Sequence, residues 1–178
     1  LDYNDEKWDA LLDQLTPSDY QTLITQSGYG TAAIKSVDKP STTDRDSATG
    51  LINYGFDASG NLYFKGNITH CGVIVLAQTY NDDLAYHYGE NIGDESYYLG
   101  VDGWYAPAVN MHRTAFSGRN SEYYSEDPFV GGHIASLECE GVASRGMYVF
   151  VKHYAINDQE DHRGDREGQY LSLIHISE

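Results

Sequence analysis

The sequence Arg-Asn-Ser-Glu-Tyr-Tyr-Ser-Glu-Asp-Pro, at residues 119–128, places one arginine, three carboxylates and two tyrosines within ten positions. Two similarly polar segments flank it, at residues 104–113 and 152–160. An apolar run leads into each flanking segment. Strands that deliver polar groups at their ends are typical of barrel enzymes. The three segments therefore predict strand ends that converge on one polar site.

The rest of the chain predicts helices that alternate with apolar strands. Residues 5–26 read as two helical pieces, because four apolar side chains recur at helical spacing. Those four are Trp8, Leu11, Leu12 and Leu15. Thr16-Pro17 forms a stop and restart, with Thr16 as the N-cap and Pro17 at the first helical position of the second piece. Residues 81–95 predict a further helix, and Asp127-Pro128 predicts the start of another, which ends at Gly146.

Two apolar runs, residues 100–109 and 147–151, predict strands. A shorter run at residues 71–77 fits a buried strand or a buried helical turn. Residues 35–66 predict a long loop with one hairpin near residues 57–60. Alternating helices and strands indicate βα units and a parallel sheet, so the predicted fold class is α/β.

Composition limits the possible partners. The 178 residues contain 40% hydrophobic and 21% charged residues, which suits a globular protein. The net charge of -16 disfavours nucleic acid and anionic membrane surfaces. No apolar run approaches the ~20 residues that a membrane span needs. The 16 tyrosines suit sugar or peptide ligands, although most tyrosines in any protein are half-buried packing residues.

Cofactor and metal motifs do not stand out. Neither Cys71 nor Cys139 lies in a CxxC motif; two buried free thiols are expected, with one disulfide as the alternative. There is no glycine-rich phosphate loop and no serine nucleophile elbow. The histidines His112, His153 and His162 lie near acids but fit no compact metal motif such as HExxH. The sequence predicts neither a cofactor nor a metal.

Lys152 and His153 are the first candidates for a ligand site. They follow directly on an apolar strand, and a lysine is rarely buried there without a partner. The spacing alone fits equally well an alternative without a ligand, in which Lys152 lies at the surface and His153 is held by hydrogen bonds. Arg119 offers a guanidinium fork that can grip vicinal hydroxyls or a carboxylate. Its alternative role is a structural ion pair with Glu122 or Glu126.

Carboxylates are numerous around these residues and invite a general acid/base interpretation. Cleavage of a glycosidic bond with retention needs two carboxyl groups about 5–5.5 Å apart. For each single acid, solvation at the surface is the more common role. The acids concerned are Glu122, Glu126, Asp127, Asp158, Glu160 and Asp161.

Several motifs resemble those of glycoside hydrolase family three, the family of many β-glucosidases. Residues 76–81 are similar to its Leu-Ala-x-Thr-Trp-Asn run, and residues 118–128 match a segment whose arginine, here Arg119, binds sugar. Lys152 and His153 match its paired sugar-binding lysine and histidine. Asp46 matches an aspartate that binds sugar hydroxyls, but Ser47-Ala48 replaces the Gly-Pro that normally follows it. Residues 154–160 resemble the β-glucosidase branch.

The resemblance implies the N-terminal portion of a (β/α)8 TIM-type barrel over residues 1–170. The implied substrate is a carbohydrate with a terminal β-linked sugar, bound by Asp46, Arg119, Lys152 and His153. The family nucleophile is the aspartate of a Ser-Asp-Trp segment, and the family acid/base carboxylate comes from a later domain. Both are expected beyond Tyr170. Residues 171–178 resemble a translated sequencing adapter; a genuine short strand is the alternative.

Three hypotheses follow. The first is part of a retaining, exo-acting β-glucosidase-like hydrolase that is inactive without the missing C-terminal half of the parent chain. The second is a non-catalytic carbohydrate-binding or decayed homologue. The third is a metal-dependent or structural domain. A downstream Ser-Asp-Trp segment distinguishes the first from the second, and stability that a chelator removes would indicate the third.

Overall fold

A computed structural model describes residues 2–66, 68–158 and 160 of the chain. The chain divides into two compact units, Leu1–Asp44 and Arg45–Glu178. None of the helices in the described residues is both long and apolar enough to cross a bilayer.

The first unit begins with two short helices, α1 (Lys7–Leu12) and α2 (Pro17–Thr25). Thr16 caps α2 as predicted: its hydroxyl accepts from the Asp19 backbone, and the Asp19 carboxylate accepts from the Thr16 backbone. This capping box satisfies two backbone donors that a helix start leaves open. The apolar face predicted for α1 is not buried, since every residue of α1 keeps part of its surface exposed to solvent. Periodicity predicts which side of a helix is apolar, but not whether another element covers it.

The predicted loop at residues 35–66 contains more structure than its polar composition indicated. A short strand β1 (Gly30–Thr31) pairs antiparallel with β2 (Thr42–Asp46), and a 3-10 turn lies at Lys35–Val37. β2 was missed because its sequence, Thr-Thr-Asp-Arg-Asp, has no apolar run. The predicted hairpin is confirmed as β3 (Tyr54–Phe56) and β4 (Leu62–Phe64).

The second unit alternates helices with strands, as predicted. In chain order, its remaining elements are α3 (Val73–Gln78), α4 (Asp82–Leu99), β5 (Gly103–Tyr105), a 3-10 turn (Asn120–Glu122), α5 (Pro128–Ser144) and β6 (Tyr148–Val149). The run at residues 71–77 is thus helical. Both predicted strands are shorter than their apolar runs, but β5 and β6 pair in parallel, and a parallel bridge joins Ala108 to Lys152 beyond them.

Both cysteines are free, but the prediction that they are buried was wrong. Cys71 is exposed and Cys139 is half-buried. Cys71 is the first residue of the apolar run that suggested its burial, but it lies before the α3 helix, which begins at Val73.

The core of the second unit lies between its helices and β5. Its buried members include Leu76, Ile92, Trp104, Tyr124, Ile134 and Val142. Helices α4 and α5 approach closely where each has a glycine. A Cβ atom on Gly89 would lie 2.0 Å from the Glu138 carbonyl oxygen, and one on Gly141 would lie 2.1 Å from that of Tyr86. The two glycines therefore let the helix backbones touch.

One ionisable side chain, Glu138 of α5, is completely buried among these apolar residues. The Tyr124 hydroxyl donates a hydrogen bond to Glu138 Oε2. Glu138 Oε1 has no hydrogen-bond partner within the described residues. Burial raises the pKa of Glu138 to about 8, against the lowering effect of Tyr124. The carboxyl group is therefore neutral in the folded protein at pH 7.

This burial predicts a stability that falls as pH rises. Because the folded-state pKa is raised, the folded chain keeps a proton that the unfolded chain releases between about pH 4.5 and pH 8. One such proton changes the free energy of unfolding by about 1.4 kcal/mol per pH unit. We expect Glu138→Gln to stabilise the chain at about pH 8.5 and to have little effect at about pH 4.

Urea unfolding at the two pH values measures this difference. Glu140→Gln is the matched control, because Glu140 lies exposed on the same helix. A gain that is equal at both pH values, or equal in the two variants, would contradict the assignment to Glu138.

Candidate functional site

A lysine at the end of the β6 segment forms the centre of a charged cluster in the second unit. The Lys152 backbone donates to the Pro107 carbonyl at 2.9 Å and accepts from Val109 at 2.7 Å, which fixes its position. Its Nζ lies 2.6 Å from Asp46 Oδ1 and 3.7 Å from Glu122 Oε2. The Lys152 side chain is only 15% exposed. A lysine so well covered requires these carboxylates as partners.

Arg119 extends the cluster through the same glutamate. Its Nε donates to Glu122 Oε1, and its Nη1 lies 3.5 Å from Glu160 Oε2. Its Nη2 lies 3.2 Å from His153 Nε2. Burial lowers the pKa of Arg119, but the hydrogen bond and charge of Glu122 outweigh it, so the pKa stands above its ordinary value. Glu122 therefore joins both cations, and the ion pair considered as the alternative role of Arg119 is present.

His153 also belongs to the cluster and follows Lys152 through a cis peptide bond. Its ring is half-buried, with Nδ1 3.1 Å from Asn110 Oδ1 and 3.4 Å from the Tyr123 hydroxyl. Burial and the positive charge of Arg119 lower the pKa of His153 to about 4. The ring is therefore neutral at pH 7.

The depressed pKa of His153 can be tested by titration. We expect the ring resonances of His153 to titrate near pH 4 in an NMR series. The unfolded chain protonates this ring near its ordinary pKa of 6.5, so folding stability is lost as pH falls from 6.5 towards 4. Arg119→Gln should raise the midpoint, but not to 6.5, because burial is the larger cause. A wild-type midpoint near 6.5 would contradict this account.

The loop after Asp46 is held by a buried tryptophan. Trp104 Nε1 donates to the carbonyl oxygens of Ser47 at 2.8 Å and Gly50 at 3.0 Å. Ser47 has a φ of 145°, a conformation that favours glycine. This is the position at which the resembled motif has glycine. The loop keeps the glycine-like conformation without the glycine, and Asp46 still reaches Lys152.

All four predicted site residues lie in this one cluster. Of the other acids, Asp127 caps α5, and Asp158 pairs with Arg113 at 3.0 Å. Asp161 lies outside the described residues, as does His162. Within the described part of the chain, no three His, Cys, Asp or Glu side chains are grouped as a metal site. His112 Nε2 instead faces the carbonyl oxygens of Asn120 and Tyr123.

Sequence reasoning missed three uncharged residues around His153: Asn110, Tyr123 and Asn157. Asn157 Nδ2 donates to the Tyr123 hydroxyl at 2.8 Å, and that hydroxyl donates to the Asn157 carbonyl at 3.0 Å. Both side chains are buried. For Asn110, the position in the sequence could have indicated a role in the site, because Asn110 follows the apolar run of β5 as Lys152 follows that of β6.

A cavity of about 520 Å³ opens beside the cluster. Lys152, His153 and Asn110 contribute to its wall, together with the ion-paired Arg113 and Asp158. Ligand pockets generally have volumes of about 300–1,000 Å³.

Comparison with known proteins identifies the family. Residues 60–170 match the model of the glycosyl hydrolase family 3 N-terminal domain. The chain belongs to glycosyl hydrolase family 3. Among curated family 3 relatives, β-glucosidase A of Butyrivibrio fibrisolvens is 42% identical over 50% of this chain and 11% of its own length. A putative β-glucosidase of Schizosaccharomyces pombe is 32% identical over 86% of this chain and 18% of its own length.

Solved structures of family 3 enzymes agree with the fold. β-Glucosidase 3B from Thermotoga neapolitana, in complex with α-D-glucose, superposes with a TM-score of 0.75 at 34% identity, covering 89% of this chain and 24% of that one. A β-glucosidase from Kluyveromyces marxianus gives 0.78 at 26% identity, covering 87% and 18%. The predicted α/β class, with part of a (β/α)8 TIM-type barrel, is confirmed. The chain spans about a quarter or less of these proteins.

Proposed function

We propose that this chain is the sugar-binding part of a retaining, exo-acting β-glycosidase of the β-glucosidase type. In this proposal Asp46, Arg119, Lys152 and His153 bind the terminal sugar. The single observation that carries it is their convergence: Lys152 and Asp46 lie 106 positions apart in sequence, yet their charged atoms lie 2.6 Å apart. Nothing local in the sequence requires that contact.

The cluster suits a polyhydroxylated ligand because it offers donors and acceptors side by side. The Lys152 ammonium and the Arg119 guanidinium donate, whereas the Asp46 carboxylate accepts. Asp46 is 41% exposed, which leaves oxygen surface for a hydroxyl to reach. Sugar hydroxyls both donate and accept, and hydrogen bonds to charged groups are about twice as strong as neutral ones.

These contacts suit glycoside hydrolysis in particular. A retaining glycosidase passes through an oxocarbenium-like transition state, and hydrogen bonds that fix the sugar ring assist its distortion. Such contacts orient the sugar for a nucleophile and an acid/base, which are needed for the chemistry. We propose that the parent protein supplies both from beyond Tyr170.

The proposed sugar is glucose or a close relative. Two neighbours in the structural comparison are β-glucosidases in complex with glucose. The charges of the cluster also disfavour an anionic sugar, because three carboxylates, Asp46, Glu122 and Glu160, face the two cations Lys152 and Arg119.

The experiment that tests this function begins with the source DNA, read across the codon for Tyr170. The longer gene is then expressed and assayed with an aryl β-D-glucoside. The proposal expects a Ser-Asp-Trp segment and release of the aryl group. Glucose binding without hydrolysis would indicate the non-catalytic carbohydrate-binding alternative. Failure of both binding and hydrolysis would overturn the proposal.

A further inference from the structure

We propose that Asn110 is a positioning residue that fixes His153 as its Nδ1–H tautomer, with the lone pair of Nε2 facing the cluster. Its use in sugar recognition rests on the proposed function; the tautomer itself does not. The argument depends on three neighbours of the ring: Asn110, Arg119 and Tyr123.

The backbone fixes the orientation of the Asn110 amide. The His153 backbone N–H donates to Asn110 Oδ1 at 2.9 Å. Only the oxygen of an amide group can accept that hydrogen, so the oxygen faces His153. The same oxygen lies 3.1 Å from His153 Nδ1. Two acceptors do not attract each other at this distance, and Nδ1 must therefore carry the hydrogen.

Arg119 requires the same tautomer from the opposite side of the ring. Its Nη2 lies 3.2 Å from His153 Nε2. A guanidinium has donors and no acceptor, so Nε2 must present a lone pair to it. The Nε2–H tautomer would place two donors together at Arg119 and two acceptors together at Asn110. One choice of tautomer satisfies both contacts, and the other loses both.

The buried pair of Tyr123 and Asn157 is consistent with this assignment. The hydrogen of the Tyr123 hydroxyl goes to the Asn157 carbonyl at 3.0 Å. That hydroxyl, 3.4 Å from His153 Nδ1, can therefore only accept from it. The one contact that favours the other tautomer is Asn157 Nδ2, which has a second hydrogen beside the one given to Tyr123 and lies 3.3 Å from Nδ1. This contact is longer than those of Asn110 at 3.1 Å and Arg119 at 3.2 Å. Two mutually supporting bonds outweigh it.

A neutral His153 with its lone pair on Nε2 accepts a hydrogen bond. The surrounding charges of Arg119, Lys152, Glu122 and Asp46 act on the ring together with burial, and the pKa of about 4 keeps it neutral at pH 7. A sugar hydroxyl that takes the place of Arg119 at Nε2 must therefore donate. If fluorine replaces this hydroxyl, the sugar keeps a weak acceptor but has no hydrogen to donate. We therefore expect the hydrogen bond to His153 Nε2 to be lost.

The test is a long-range ¹H–¹⁵N correlation spectrum of the whole chain labelled in its histidines, recorded at neutral pH without sugar. His153→Gln identifies the signals. We expect the Nδ1–H pattern for His153. His112 is an internal reference of the opposite kind, because its Nε2 faces carbonyl oxygens at 3.0 and 2.9 Å and must carry hydrogen. An Nε2–H pattern for His153 would overturn the proposal.

Two variants then isolate Asn110. Asn110→Leu removes the acceptor at similar volume, and we expect loss of the pure Nδ1–H pattern at His153 while His112 is unchanged. Asn110→Asp keeps an acceptor and should keep the pattern. An unchanged pattern in Asn110→Leu would refute the role of Asn110. If Asn110→Leu does not fold, the wild-type and Asn110→Asp spectra decide. Failure of glucose binding would leave all these spectra unaffected, so the two proposals fail separately.

Discussion

Lys152→Met in the complete parent enzyme is expected to lower kcat/KM for an aryl β-D-glucoside by about 10²-fold or more. Lys152 is only 15% exposed. Removing a covered, hydrogen-bonded charge from its partners costs about 2–5 kcal/mol, and each ~1.4 kcal/mol is a factor of ten. Lys152 contacts both Asp46 and Glu122. Its loss would leave two carboxylates facing each other, with no donor for a sugar hydroxyl between them.

The control for this substitution is Lys65→Met, at an exposed lysine that follows strand β4. It makes the same chemical change, and kcat/KM should stay within about twofold of wild type. Thermal melts of both variants confirm that the assay temperature lies below unfolding. A Lys152→Met enzyme with wild-type kcat/KM would remove Lys152 from the proposed sugar site.

Gly141→Ala is expected to destabilise the chain by at least about 1–3 kcal/mol, the usual cost of overpacking a well-packed core. The new Cβ would lie 2.1 Å from the Tyr86 carbonyl oxygen and 2.8 Å from the Glu90 backbone nitrogen. Both contacts are with backbone, so rotation of a side chain cannot relieve them. Helices α4 and α5 would have to move apart. Urea unfolding monitored by circular dichroism measures the loss.

Gly132→Ala is the matched control on the same helix. No atom lies within 4 Å of a Cβ added there. Alanine is favoured over glycine in an open helical position by about 1 kcal/mol, so this variant should be more stable than wild type. Opposite signs for the same substitution on one helix would show that close helix contact decides the result. Equal effects would contradict the packing described for α4 and α5.

Local chemistry explains why much of the fold could be predicted. The hydroxyl of Thr16 and the carboxylate of Asp19 cap α2 within a few residues, and Asp127 with Pro128 starts α5. These signals need no distant partner. Strand β2 has no such signal, because Thr43 is extended through its pairing with Gly30. The predicted strands at residues 100–109 and 147–151 were too long. An apolar run indicates which residues are buried, but not how many of them form hydrogen bonds with a neighbouring strand.

The candidate site also has residues that the sequence pointed to and residues that only the structure revealed. Asp46, Arg119, Lys152 and His153 were identified from motifs in sequence, and the structure brings them together. Sequence could not show that Glu122 joins the two cations, since most acids are solvated. Nor could it show the roles of Asn110 and Asn157, because an asparagine has no charge or periodicity to mark it.

The sequence by itself indicated the α/β class, the starts of α2 and α5, and the four residues proposed for the sugar site. The class and the helix starts follow from side-chain chemistry and spacing over short stretches of chain, whereas the four residues follow from the resemblance of short motifs to those of family three. Only the tertiary structure decided that Lys152 meets Asp46 across 106 positions, that Glu138 is buried with a raised pKa, and that Gly89 and Gly141 let two helices touch. The physical reason is that these contacts join residues far apart in the chain, and each depends on which surfaces the packed core covers.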